Sequence, residues 1–198
     1  MAKIIDSRVM VEEAASKHWN VHDNLKGLSI EELREINESD RLPFAVCAIN
    51  VTGDLNVGIM LRTACVMGAE RFFIIGRRKY DKRSTVGAYN YMDVVRVDAL
   101  DEDLELKVDV FHQIMDEYRY KPVMFETNGV DITRNFSVEW FKPKNICLVF
   151  GNEGMGLPAG LLTKNNTIVS IPQRGVLRSL NVSSAASMAM YEVAKQLT

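Results

Sequence analysis

The sequence is poor in the residues and runs that mark several protein classes. Its three cysteines, Cys47, Cys65 and Cys147, are widely spaced with no Cys-x-x-Cys pair, which excludes a disulfide scaffold and a cysteine metal site. We expect them to be reduced, buried thiols. Signal-like apolar segments, membrane-spanning runs, internal repeats and low-complexity linkers are absent as well, so we expect a soluble, cytoplasmic protein.

Metal-binding residues are also scarce. His18 and His22 share a helical spacing that can ligate a metal, but no further histidine or cysteine lies near them in the sequence to complete a site. We therefore expect no metal.

Charge is nearly balanced, at −2 overall with a pI near 6.0, which excludes a uniformly basic nucleic-acid binder. One segment departs from this balance. It carries five basic side chains around Tyr80, which are Arg77, Arg78, Lys79, Lys82 and Arg83. Such a segment is either a solvated loop or a contact for RNA phosphates.

The 198 residues suit one domain of about 150 residues with a terminal extension. Residues 1–42 are polar and favour helix, and Ser29 with Glu32 forms a capping-box pattern that opens a helix through about Asn37. From residue 43 apolar strands alternate with helices, which predicts an α/β fold with a parallel sheet and helices on both faces. The predicted strands are 44–51, 71–75, 94–97, 122–126, 146–150 and 167–172; the predicted helices are 57–67, 108–118 and 182–197, with a loop at Asn128-Gly129.

Two of these strands open into loops rich in glycine or serine. Strand 146–150 runs into Gly151-Asn-Glu-Gly-Met-Gly-Leu-Pro158, and strand 167–172 runs into residues 173–184. Loops at neighbouring strand ends are where an open α/β sheet binds a ligand. The first loop lacks the Gly-x-Gly-x-x-Gly spacing, and no Gly-Lys-Ser/Thr follows it, so the common nucleotide motifs are excluded. An ordinary Rossmann-like or flavodoxin-like nucleotide-binding domain would still explain the strand and helix pattern.

Three blocks in order resemble the motifs of the SpoU/TrmH-type RNA ribose methyltransferases of the SPOUT superfamily. They are Asn56-Val-Gly-Ile-Met-Leu-Arg62, the Gly151 loop, and Ile171-Pro-Gln-Arg-Gly-Val-Leu-Arg-Ser-Leu-Asn-Val-Ser183. A fourth block, Ser84–Tyr89, also matches, so the resemblance covers residues 43–198. It implies a C-terminal trefoil knot, S-adenosyl-L-methionine as cofactor, and methyl transfer to a ribose 2′-hydroxyl of RNA.

The resemblance also implies roles for particular residues. Arg62 would activate the acceptor hydroxyl or bind its phosphate, with Asn56 orienting it or capping the helix. Glu153 would contact an arginine or the acceptor nucleoside, and Ser179 and Asn181 would line the site, or else cap the final helix. The residues expected to contact the cofactor are Glu126, Thr127, Phe150, Gly151, Ile171 and Leu180.

Several functional alternatives stay open at this point. The Ile171 block is similar to the version in eukaryotic tRNA ribose methyltransferases, which favours tRNA, with guanosine as the favoured acceptor. Tyr89-Asn-Tyr91, Gln173 and Ser184 depart from the family pattern and concern RNA docking. An rRNA-directed enzyme, a non-catalytic RNA-binding knot protein and an unrelated nucleotide-binding protein are the alternatives.

The final predicted helix, 182–197, is apolar around more than one stripe. Either it is covered on both sides within one chain, or one side packs on a second copy. The resemblance implies the second arrangement, a homodimer.

Overall fold

The computed structural model describes residues 3–6 (backbone only), 20–76, 80–103 and 105–198. Within these ranges, seven strands form one sheet, and four α-helices accompany it. The strands are β1 (Lys3–Asp6), β2 (Leu42–Ile49), β3 (Ala69–Ile75), β4 (Asp93–Asp98), β5 (Tyr120–Asp131), β6 (Asn145–Phe150) and β7 (Thr167–Ser170). The helices are α1 (Ile30–Ser39), α2 (Asp54–Val66), α3 (Val108–Glu117) and α4 (Val182–Leu197).

The strand order is β1-β4-β3-β2-β6-β5-β7, and β2 to β7 pair in parallel while β1 pairs antiparallel with β4. The predicted parallel α/β sheet is therefore confirmed. Because the six parallel strands point the same way, their carboxyl ends share one edge of the sheet. The loops after β2, β5, β6 and β7 all begin at that edge.

Helices cover both faces of the sheet, because the central strands are apolar on both sides. In β2, Phe44 and Val46 pack in one core with α2 and α4, whereas Cys47 and Ile49 pack in the other with α3. Cys47 and Cys147 are buried, as expected, and burial raises the pKa of the Cys147 thiol. Cys65 is only half-buried.

Helix α1 begins as its sequence predicts. Ser29 Oγ accepts a hydrogen bond from the Glu32 amide at 3.2 Å, and the Ser29 amide donates to Glu32 Oε2 at 2.8 Å. This reciprocal capping satisfies two backbone donors that the helix itself leaves unpaired. Helix α1 extends to Ser39, slightly beyond the predicted end at Asn37.

The loop predicted at Asn128-Gly129 is wrong, because β5 continues through both residues to Asp131. The pairing with β7 shifts register between Phe125 and Val130, so a bulge absorbs the turn-like residues. A Cβ at Gly129 would lie 2.5 Å from the backbone of Val169. The glycine therefore permits close strand approach, not a turn. Strand β1 was also not predicted.

No helix in the described ranges has the length and apolar character needed to cross a bilayer. The same ranges contain no group of three or more His, Cys, Asp or Glu side chains that could hold a metal. His18 lies outside the described residues.

Candidate active site

A cavity of about 570 Å³ lies at the carboxyl ends of β5, β6 and β7. Its walls come from the end of β5, the turn after β6 and the loop after β7, which together hold two of the three sequence motifs. All six residues predicted to contact a cofactor line it, and so do Glu153 and Ser179. The cavity is within the size range of small-molecule sites.

One wall of the cavity is apolar. The rings of Phe125 and Phe150 stack with centroids 4.8 Å apart, and the other apolar lining residues include Val169, Ile171 and Leu180. Leu180 is 37% exposed, although most leucines are core residues. Its exposure makes it a lining residue and not a packing residue.

The turn at residues 151–156 forms another part of the lining, and backbone hydrogen bonds close this turn on itself. Asn152 and Gly156 exchange two backbone hydrogen bonds of 3.0 and 2.9 Å. The Asn152 side chain accepts from the amides of Gly154 and Met155, and its amide group donates to Asn50 O at 3.0 Å. The turn is therefore pre-formed and held against the end of β2.

Glu153 ties this turn to the loop before α2. Its Oε2 accepts from the amide and hydroxyl of Thr52 at 2.8 and 2.7 Å. Its Oε1 accepts from the Gly53 amide at 2.9 Å and from Asn56 Nδ2 at 2.8 Å. Burial raises the pKa of Glu153, but the hydrogen bonds outweigh it and lower that pKa to about 2. A carboxylate so engaged is a weak base and a firm anchor.

Asn181 continues the same network into α4. Its Oδ1 caps that helix, accepting from the amides of Ser183 and Ser184, and its Nδ2 donates to Asn56 Oδ1 at 3.1 Å. Asn56 thus bridges Glu153 and Asn181. The interpretation of Asn56 as a helix cap is wrong, because α2 is capped by Gly53 and Asn56 lies in its first turn.

Arg62 lies apart from this network. It is exposed on α2, does not line the cavity, and its side chain makes no hydrogen bond or ion pair with any described residue. Six residues along a helix amount to about 9 Å, which carries Arg62 away from Asn56 and the sheet edge. Within one chain, the predicted contact between Asn56 and Arg62 is therefore not formed.

The described part of the basic segment is engaged in local contacts. Arg83 pairs with Asp81, with Nη2 to Oδ2 at 2.9 Å, although its side chain is 91% exposed. Lys82 Nζ lies 5.0 Å from the centroid of the Tyr89 ring. Arg77, Arg78 and Lys79 lie outside the described residues.

Sequence reasoning missed Thr52 and Gly53 as partners of Glu153, and it missed Asn152 and Ser183. Asn152 and Ser183 lie inside the recognised motifs, but their contacts connect segments about 100 residues or more apart. No local pattern carries such information. Gln173, Met155 and Arg178 also line the cavity and were not assigned a role.

The lowered pKa of Glu153 predicts a pH-dependent contribution to stability. Because the folded-state pKa of about 2 lies below the ordinary value of 4.5, this contribution is present above pH 4.5 and is lost as the pH falls toward 2. After a discount for solvent exposure, we expect about 1–2 kcal/mol at neutral pH. Urea unfolding of Glu153→Gln against the unsubstituted protein should give a difference that shrinks from pH 6 to pH 3. The exposed Glu117→Gln variant is the control, and a difference independent of pH would contradict the prediction.

Comparison with known proteins agrees with this geometry. A TrmH-family tRNA/rRNA methyltransferase of Staphylococcus aureus (strain COL) is 32% identical over 144 residues, or 70% of this chain and 53% of that protein. The methyltransferase AviRb of Streptomyces viridochromogenes, solved with AdoMet, is 26% identical at a TM-score of 0.64, covering 79% of this chain and 58% of that one. The TrmH/SpoU enzyme of A. aeolicus shares the fold, at 23% identity and a TM-score of 0.67, with 84% and 81% covered.

The chain spans 53% to 62% of the length of the curated relatives that it matches. Residues 43–191 match the model of the SpoU rRNA methylase family, which is most of the chain and includes every motif described above. The chain therefore belongs to the SpoU rRNA methylase family.

Proposed function

We propose that this protein transfers a methyl group from S-adenosylmethionine to a ribose 2′-hydroxyl of RNA, with tRNA as substrate and guanosine as the favoured acceptor. The observation that carries the proposal is the cavity at the carboxyl ends of β5, β6 and β7, which all six expected cofactor residues line. The AdoMet complex of the 26% identical AviRb supports the choice of cofactor.

The residues of the cavity fit this cofactor. Its apolar wall, with Phe150, Ile171 and Leu180, suits an adenine ring, and the backbone of the Gly151 turn, which lines the cavity, suits the hydrogen-bonding edge of that ring. The Glu126 carboxylate, which already accepts from the Thr127 amide at 2.9 Å, can accept further hydrogen bonds from hydroxyl or ammonium groups. When bound, the cofactor supplies the methyl group on its sulfonium.

Glu153 is not suited to remove the proton of the acceptor hydroxyl. Each of its two carboxylate oxygens already accepts two hydrogen bonds, and its pKa of about 2 makes it a poor base near neutral pH. We assign it a positioning role, which holds Asn56 and the cofactor turn together. Ser179, on the cavity wall, can hydrogen-bond the acceptor ribose.

We assign activation of the acceptor to Arg62, through its charge on the acceptor phosphate and the developing alkoxide. Since Arg62 does not line the cavity of its own chain, it must act on an RNA that reaches both places, or from a second protomer. Its position on α2 favours the second route. Leu55, Ile59 and Val66 occupy the same side of α2 and are 60%, 41% and 70% exposed.

We propose that this apolar face makes the protein a homodimer. On the neighbouring α4, Tyr191 is 62% exposed and Met188, at the border of the face, is 50% exposed. Exposed apolar side chains grouped on two packed helices are typical of an interface, and two-fold pairing is the commonest oligomer. A two-fold axis here would bring Arg62 of one protomer toward the other.

The dimer has a direct test. Sedimentation equilibrium at micromolar concentration should give twice the chain mass of 22.4 kDa. Replacing Leu55 and Tyr191 by glutamate should shift the particle to monomer and remove activity, since two charges would be buried without partners. The control is Trp140→Glu, which removes an exposed aromatic outside this face. A fully active monomer would contradict the proposal.

We further propose that residues 43–198 form the methyltransferase domain, with 1–42 as an extension, and that the C-terminal third is a trefoil knot. The strand order supports the knot. The chain leaves β7 at the edge of the sheet and returns across it, so that α4 contacts β6, β2 and α2.

The basic segment is proposed to contact RNA phosphates. Replacing Arg77, Arg78 and Lys79 together by alanine should weaken RNA binding and lower its salt slope by about 0.7–0.9 for each phosphate that is no longer neutralised. Binding of S-adenosylmethionine, measured by titration calorimetry, should stay the same. An unchanged salt slope would mean that the segment is only a solvated surface.

Methylation itself is tested with radiolabelled S-adenosylmethionine and two RNA pools, unmodified tRNA transcripts and rRNA fragments. We expect label in tRNA, and mass-spectrometric mapping should find it on a ribose 2′-oxygen. Label only in rRNA would support the second candidate, an rRNA-directed enzyme, since the description of the curated relatives names rRNA beside tRNA. RNA binding with no transfer would support a non-catalytic RNA-binding protein.

A further inference from the structure

A second concave surface adjoins the proposed cofactor cavity. It is a groove of about 440 Å³ between the end of β5, the loop after β7 and α4. Ile171 lines both the groove and the cavity, so a ligand in the groove lies beside the cofactor site. Apart from Ile171, assigned to the cofactor, and Met188, at the border of the proposed dimer face, the residues that line this groove have no role assigned above.

The groove contains two arginines that are not strongly paired. Arg174 is exposed and makes no hydrogen bond or ion pair within the described part of the chain. Arg134 has a side chain that is 72% exposed, and its Nε is 4.0 Å from Asp131 Oδ2, the limit of an ion pair. Both guanidinium groups are thus available to an anion.

The two acidic residues of the groove are already engaged. Asp131 Oδ1 accepts from the amide and hydroxyl of Thr133 at 2.8 and 2.7 Å. Glu192 Oε2 lies 2.6 Å from Lys195 Nζ, and its Oε1 accepts from Gln196 at 3.3 Å. Glu192 is thus paired with Lys195 and Asp131 is held by Thr133, whereas the two guanidinium groups keep N–H donors free for an anion.

Its remaining lining is apolar and includes Ile171, Pro172 and Met188. Arginine side chains next to an apolar surface fit a phosphodiester and its attached sugar. The guanidinium groups can bind the phosphate in a bidentate manner, and the apolar residues can contact the sugar. The loop after β7 carries a second arginine and further exposed apolar residues. Arg178 lines the cofactor cavity, and between the two loop arginines Val176 and Leu177 are 103% and 79% exposed.

We propose that this groove binds a phosphodiester of the substrate RNA next to the acceptor ribose, with Arg134 and Arg174 as its ligands. The proposal rests on the proposed RNA methylation and names the surface that would position the strand. It makes Arg134 and Arg174 positioning residues, which act on RNA affinity and not on the transfer step.

The test compares two double variants with the same change in charge. Arg134→Gln/Arg174→Gln removes the groove arginines. The control, Arg119→Gln/Lys164→Gln, removes two exposed cations that precede β5 and β7, at the opposite edge of the sheet. Binding of unmodified tRNA transcripts and rRNA fragments is measured by fluorescence anisotropy over a range of salt concentrations.

We expect the groove variant to bind RNA about tenfold more weakly, with a salt slope lower by about 0.7–0.9 for each phosphate that it no longer neutralises. Its KM for RNA should rise while kcat and the affinity for S-adenosylmethionine stay near those of the control. Equal affinity and slope in the two variants would overturn the proposal. Loss of the dimer in the groove variant, seen by sedimentation, would also overturn it and make the groove an interface between copies.

Failure of the proposed function gives a different result. If the unsubstituted protein binds RNA but transfers no methyl group, the function is wrong, and the groove is still decided by the two binding curves. If the unsubstituted protein binds neither RNA pool, both proposals are wrong.

Discussion

Replacing Arg62 by alanine is expected to lower methyl transfer by about 100-fold or more and to change the affinity for S-adenosylmethionine by no more than a few-fold. Loss of one preorganised group that stabilises developing charge typically costs about 10²–10³ in kcat, which sets the scale at about 100-fold. The Arg62 side chain makes no hydrogen bond or ion pair with the described residues and does not line the cavity, so its loss should disturb neither folding nor cofactor binding.

Two variants sharpen this test. Arg62→Lys keeps the charge but loses the planar fork, so partial activity would indicate a charge effect and no activity would indicate bidentate binding. Arg119→Ala, which replaces an exposed arginine before β5, is the control and should be fully active. Near-normal turnover of Arg62→Ala in rapid-quench assays would disprove the role assigned to Arg62.

Replacing Gly151 by alanine is expected to remove measurable binding of S-adenosylmethionine and, with it, activity. A Cβ at this position would lie 2.3 Å from Gly156 O and 2.5 Å from Leu157 N. These are backbone atoms of the turn that lines the cavity, so the turn must open to admit the methyl group. Overpacking of this kind costs about 1–3 kcal/mol.

Gly175→Ala is a matched control in the other loop, because a Cβ there meets no atom within 4 Å. Titration calorimetry should find the cofactor affinity of that variant unchanged, while Gly151→Ala shows no heat of binding. If Gly151→Ala binds normally, the turn does not form the cofactor site.

The two inactive variants also test where Arg62 acts. Mixed dimers of Arg62→Ala and Gly151→Ala contain one intact cavity and one intact Arg62, on different protomers. If Arg62 acts on the partner's cavity, mixing should restore up to about a quarter of the activity, because half of the dimers are mixed and each has one complete site. No recovery would mean that Arg62 acts within its own chain.

Local patterns in the sequence were enough to predict most of the secondary structure. The apolar runs of β2, β3 and β6 and the capping box at Ser29 depend on neighbouring residues, so they can be read without the fold. The motifs could also be placed at strand ends, and the shared edge of a parallel sheet then predicts that their loops meet. The cavity lined by all six expected residues agrees with that reasoning.

Only the tertiary structure decided the features that depend on contacts between segments far apart in the sequence. Asn128-Gly129 favours a turn locally, yet contact with β7 keeps it extended, because at Gly129 the β7 backbone approaches too closely for any side chain. Glu153 accepts hydrogen bonds from Thr52, Gly53 and Asn56, about 100 residues earlier in the sequence. These bonds fix the turn after β6 to the start of α2.

The same reason separates Arg62 from the site in one chain. The sequence by itself predicted that Arg62 lies on a helix (57–67) and that Asn56 lies just before it, and the structure extends that helix back to Asp54 so that both residues share it. Only the packing of α2 against α4 and the sheet decided that Asn56 is turned toward Glu153 and Asn181 while Arg62 is exposed. Helical spacing sets the relation of the two residues to each other, but which face is covered depends on what packs against the helix.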